Sequence, residues 1–108
     1  EALQARAADM AAAAAQGDLN AYMLADQALD HVNHAASRNA AAVAAVIPMV
    51  IQCRRFWYAY QHQGDIAEGA RCHQLLADAI ARGQSEEAGA ASDALMDYLR
   101  HFAQQVIA

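Results

Sequence analysis

Gly-Asp occurs twice in this 108-residue chain, at Gly17-Asp18 and Gly64-Asp65, each time between two long runs with apolar residues three and four apart. A glycine accepts the left-handed backbone that ends a helix, and an aspartate caps the first turn of the next one. Ser37-Arg38-Asn39 and Gly83 with Gln84-Ser85 supply two further breaks. Asn39 can take the left-handed position or cap the following helix. The spacing therefore predicts helices over 1–16, 19–36, 40–62 and 66–82, and a fifth that opens at Gln84 or Ser85 and continues through Val106. With 57% hydrophobic residues, one proline and five glycines, little competes with helix. The expected fold is all-α: an antiparallel bundle of about five helices joined by short turns, in one domain over residues 1–108.

Each run predicts an inner face. The first buries Leu3, Ala7, Met10 and Ala14, and the second Leu19, Tyr22, Ala25, Leu29, Val32 and Ala36. The third, the longest, turns Val43, Ile47, Val50, Ile51, Arg54, Trp57, Tyr58 and Gln61 inward, and Pro48 should bend it by removing a backbone donor. The fourth presents His73, Leu75, Leu76, Ala79 and Ile80. The fifth presents Ala88, Ala91, Leu95, Tyr98, Leu99, Phe102 and Val106.

Charge narrows the function. The formal charge is −5, and all seven fixed positive charges are arginines, scattered along the chain. That is a poor electrostatic footprint for a nucleic-acid binder. The run Arg54 to Tyr60, RRFWYAY, mixes base and aromatic, but on a helix in an acidic chain it reads as core aromatics with one or two buried arginines. No apolar run approaches the roughly 20 residues expected of a membrane span. Cys53 and Cys72 read as free thiols in a reducing cytosol. No Ser/His/Asp order, glycine-rich phosphate loop or CxxC motif occurs.

The stretch most suggestive of chemistry is Asp26 to Asn39. Asp26 and Asp30 are one turn apart on one helix face, and His34 extends the stripe by another turn. Acidic groups at the edge of an apolar face need a positive or hydrogen-bonding partner. Two readings follow. One is an acidic helix edge beside a satisfied histidine. The other is a ligand or metal pocket, with carboxylates from the second helix and the His73 imidazole from the fourth. A buried Arg54 or Arg55 would need an anion, which Asp26, Asp30 or a ligand carboxylate could supply. His31 points to solvent, His62 suits the C-terminal end of its helix, and His101 lies near the end of the last helix.

Three segments, GDLNAYMLADQALDHVNHAASRN (17–39), HQLLADAIARG (73–83) and ASDALMDYLRHF (91–102), together resemble the FCD domain. This is the C-terminal effector-binding domain of the FadR subfamily of GntR-type bacterial transcription regulators. The resemblance implies a cytoplasmic, homodimeric, ligand-sensing domain with no enzymatic activity. It also implies a further initial helix, absent or only partly present here, so that the complete domain has six or more. The winged-helix domain that contacts DNA would precede it. Many members of the family hold a divalent metal such as zinc or nickel through an Asp, a His one turn later and two later His. The first Asp matches Asp26 and the third ligand matches His73. The second ligand falls on Asp30 and the fourth on Leu95, which cannot bind metal. The metal is therefore either held by a rebuilt set, Asp26, Asp30, His73 and His34, or given up. The effector implied is a small organic acid, held by Arg54 or Arg55 with Tyr22, Asn33 and His73. A metal-dependent bundle enzyme and a purely structural dimerisation module are the alternatives.

Overall fold

The computed structural model describes residues 2–60 and 66–107, all helical apart from short turns. The helices are α1 (Ala2–Ala15), α2 (Leu19–Ser37), α3 (Ala40–Tyr60), α4 (Ile66–Ala81) and α5 (Ser85–Ile107), with no strand among the described residues. The expected all-α bundle is what forms. The Gly64-Asp65 break, Gln61 and His62 lie outside the described residues.

The turns follow the local chemistry. Gly17 has a φ of 67°. Asp18 N–H donates to the Ala13 carbonyl and Gly17 N–H to that of Ala14, the paired bonds of a Schellman end. Asp18 then caps α2, its Oδ1 accepting from Ala21 N–H at 3.0 Å. Gly83, with a φ of 69°, ends α4 in the same manner, with Gln84 N–H on the Ala79 carbonyl. At the third break Arg38 takes the left-handed position, with a φ of 54°, and Asn39 caps α3 by accepting from Ala42 N–H at 3.0 Å.

α1 packs between α2 and α4, and α5 lies on α4. Leu3, Ala7, Met10 and Ala13 of α1 interlock with Tyr22, Met23, Ala25 and Leu29 of α2 and with Ala70 and Ala77 of α4. Met10 is fully enclosed. The predicted face of α1 holds for Leu3, Ala7 and Met10, but Ala13 is buried in place of the expected Ala14, which packs from the edge. On α5 the predicted stripe also holds, with Leu95 and Phe102 buried. Two faces need correction at their margins. Ala36 of α2 is exposed, beyond the reach of α1. On α4 the small residues Gly69, Ala70, Cys72, Ala77 and Ala79 face inward, while Leu75 and Ile80 face out. Close helix crossing selects small side chains, so the bulkier pair is displaced to the other side.

The largest correction concerns α3. Read from spacing as a core helix, it has no buried residue, and Ile47, Ile51 and Tyr58 of its predicted inner face are exposed. Only Val43, Val50, Arg54, Phe56 and Trp57 are half-buried. Its helix continues through Pro48, where the carbonyl left without a donor belongs to the exposed Ala44. α3 meets α2, packs Trp57 against the edge of the core, and meets α5 through rings. Trp57 stacks on Phe102 at 4.3 Å, nearly parallel, and Phe56 meets Phe102 edge-on at 5.8 Å. By length and hydropathy, Ala40–Tyr60 is also apolar enough to cross a bilayer. That corrects the expectation that no run approaches such a span. The feature is weak evidence in a helix whose Arg54 is paired to carboxylates of α2.

Candidate functional site

Three helices converge on one polar cluster. α2 carries Asp26 and Asp30 one turn apart, as their spacing requires. α3 brings Arg54 over them. Its Nη2 donates to Asp30 Oδ2 at 2.8 Å and to Asp26 Oδ2 at 3.3 Å. α4 brings His73 to the other side of Asp26, with Nε2 at 3.4 Å from Oδ1. Asp26 thus spans the site, one oxygen toward α3 and the other toward α4. The side chains are a quarter exposed or less: 17% for Arg54, 24% and 25% for the two aspartates and 13% for His73.

His73 is oriented from within its own helix. Its Nδ1 donates to the carbonyl of Gly69, one turn earlier, at 2.8 Å. That bond assigns a proton to Nδ1 and leaves Nε2 as the nitrogen facing Asp26. Gly69 matters twice. A Cβ there would lie 2.5 Å from the Tyr22 hydroxyl and 3.0 Å from that of Tyr98, so the missing side chain lets both rings close over α4. Sequence reasoning passed over Gly69. A glycine inside an otherwise helical pattern was the available signal.

The electrostatics are asymmetric. Burial, and next the neighbouring Asp26 carboxylate, raise the Asp30 pKa above its ordinary value of 3.8, while Arg54, His34 and His73 pull it back. Two carboxylates share one guanidinium, and Arg54 Nε is buried with no acceptor among the described residues. Beside the cluster, between α2 and α3, lies an open cleft of about 160 Å³ lined by Gln27, Asp30, His31, His34, Ile47, Val50, Ile51 and Arg54. The apolar residues of α3 that are missing from the core therefore form one wall of this cleft.

The expected site residues separate into two groups. Asp26, Asp30, Arg54 and His73 meet. Tyr22 is buried and joins them through Gly69, and His34 stands on the cleft wall next to Asp30. Asn33 and Arg55 are exposed and lie outside the cluster. One helical step of about 100° separates Arg54 from Arg55, which is enough to point only one of them at α2. His31, expected in solvent, is exposed along the open side of the cleft. Leu95 is buried as an apolar residue of α5. Both cysteines are free, Cys53 exposed and Cys72 buried.

This arrangement does not fit a divalent metal. Ligand oxygens and nitrogens stand about 2.0–2.2 Å from such an ion. Here the point between the carboxylates is filled by the Arg54 guanidinium at hydrogen-bond lengths. Among the described residues no group of three His, Cys, Asp or Glu side chains is disposed to hold one.

No curated protein and no solved structure matches the chain. The family model of the FCD domain matches residues 1–98, nearly the whole chain. With that match and the helical bundle described above, the chain belongs to the FCD family, the regulatory effector-binding domain of GntR-type transcription regulators.

Proposed function

We propose that this domain senses a small organic acid in the cleft between α2 and α3, and that the ligand acts by changing how α3 is held. The observation that carries this reading is Arg54. It is the one fixed cation in the cleft lining, and its buried Nε–H has no acceptor among the described residues. A ligand carboxylate reaching that guanidinium competes with Asp30, the partner whose charge burial already disfavours. The apolar wall of Ile47, Val50 and Ile51 would take the ligand's hydrocarbon part.

α3 is the element such a ligand can move. It contributes no buried residue to the core, so its docking rests on the Arg54 pairs, the aromatic contacts with α5 and the half-buried Trp57 packed against the core. A ligand that binds one arrangement of α3 better than another shifts the population between them. In a cytoplasmic homodimeric regulator of this family, that shift would reach DNA through the winged-helix domain.

Calorimetric titration of the chain with a panel of mono-, di- and hydroxycarboxylic acids, alongside amines and sugars, tests the reading. Binding by an acid that Arg54→Gln abolishes supports it. Binding by amines alone would sink it and favour a cationic effector drawn to the two aspartates, the second reading that the surplus of carboxylates supports.

A further inference from the structure

The cleft between α2 and α3 has two unlike walls. α2 supplies polar groups, Asp30 among them, and α3 supplies Arg54 with Ile47, Val50 and Ile51. At the polar end the charges do not balance. One guanidinium faces two carboxylates, so with histidines neutral the cluster of Asp26, Asp30 and Arg54 carries one negative charge in excess. A bare carboxylate entering there would meet Arg54 but would set a second excess negative charge beside Asp30. With these side chains at most one-quarter exposed, water screens that repulsion poorly.

The bonding leaves room for a ligand that avoids the conflict. Arg54 engages the aspartates only through Nη2, and neither Nε nor Nη1 has an acceptor among the described residues. Asp30 takes that nitrogen on Oδ2, and its Oδ1 has no donor among the described residues. A guanidinium and a carboxylate with unused bonding capacity thus stand side by side, 2.8 Å apart at their contact.

We propose, building on the acid reading of this cleft, that it takes a zwitterion: an α-amino acid with a short aliphatic side chain, its carboxylate on the Arg54 guanidinium, its ammonium on the Asp30 carboxylate and its side chain against Ile47, Val50 and Ile51. Three features set that class. The first is charge. A zwitterion adds no net charge, and where its carboxylate competes with Asp30 for Arg54, its ammonium gives Asp30 a replacement cation, so no partly buried carboxylate is left unpaired. The second is spacing. Arg54 and Asp30 are in direct contact, so the ligand's opposite charges must sit on neighbouring atoms, as they do around an α-carbon. The third is size. A cleft of about 160 Å³ is smaller than the roughly 300–1,000 Å³ of sites for drug-sized ligands, and its apolar wall of three branched residues suits a side chain of a few carbons.

Calorimetry of the chain with matched probes tests this. Leucine and valine are compared with the same skeletons lacking the ammonium, 4-methylpentanoate and 3-methylbutanoate, and lacking the carboxylate, 3-methylbutylamine and 2-methylpropylamine. 4-Aminobutyrate, with its charges farther apart, tests the spacing. Wild type should bind at least one of the two amino acids about tenfold or more tightly than either of its single-charge analogues and than 4-aminobutyrate. Asp30→Asn should weaken that amino acid about tenfold and leave its deamino analogue no weaker than before. The wild-type ranking decides the matter even where the variant fails to fold. A deamino acid that binds wild type as tightly as its amino acid would overturn the inference while leaving the acid reading of the cleft in place. So would a preference for the amino acid that survives in folded Asp30→Asn. Binding by the amines alone, or by none of the probes, would overturn both.

Discussion

Arg54 and Asp30 join α3 to α2 through a single 2.8 Å bond, and the same guanidinium nitrogen reaches Asp26 at 3.3 Å. All three side chains are at most one-quarter exposed. The ion pairs are therefore less screened than surface bridges, and the site they form is also the place where an otherwise loosely held helix meets the bundle.

Arg54→Leu should destabilise the chain by about 2 kcal/mol, because it leaves two partly buried carboxylates facing each other without a cation. Adding Asp30→Asn should recover about half of that loss, since it removes the repulsion as well as the lost partner. Urea unfolding of the two single variants and the double variant checks this. Strict additivity of the single losses would mean that Arg54 and Asp30 are not coupled.

The same aspartate predicts a pH dependence. Its folded pKa is raised, by burial first and by the Asp26 carboxylate second. In the window just above 3.8 the folded chain holds a proton on Asp30 that the unfolded chain has already released. The stability contributed by this group therefore grows as pH falls through the folded pKa, levels off below 3.8, and is lost as pH rises through the window. Urea midpoints should show wild type losing stability relative to Asp30→Asn as pH is raised across that window. Parallel curves for the two chains would refute the assignment.

Two glycines on helices should respond in opposite senses. Gly89, in the exposed part of α5, has nothing within 4 Å of where a methyl would stand, so Gly89→Ala should stabilise by about 0.5–1 kcal/mol through helix propensity. Gly69→Ala gains the same propensity but drives a methyl against the Tyr22 and Tyr98 hydroxyls, and Tyr22 is only 3% exposed. The net effect should be a loss of about 1–2 kcal/mol. Thermal or urea unfolding of both variants is sufficient, and a stabilised Gly69→Ala would show that the tyrosines move aside freely.

Much of the fold was legible from local signals. Gly17, Asp18, Asn39 and Gly83 act within a few residues of themselves, so their turn and cap roles can be read without knowing the fold. The period named Leu95 and Phe102 of α5 and three of the four buried residues of α1, missing Ala13, for a similar reason: each helix presents one apolar stripe, and one stripe has one place to go. The Asp26 and Asp30 pair was legible from four-residue spacing, and the need for an opposing cation followed from the cost of partly burying two charges.

α3 shows where that reasoning stops. It is apolar over most of its circumference, so no single stripe states which side faces inward, and the side drawn from spacing included Ile47, Ile51 and Tyr58, which are exposed. The sequence by itself determined the helices, the breaks at Gly17, Asn39 and Gly83, and a pair of carboxylates in want of a cation, because each of these depends on neighbours within a turn or two. The tertiary structure decided that Arg54 rather than Arg55 would answer them, that His73 would close the far side of Asp26, and that Asn33 would stay in solvent. Those outcomes depend on the rotation of α3 and α4 about their axes relative to α2. Packing contacts distant in the chain set that rotation, and no local pattern encodes it.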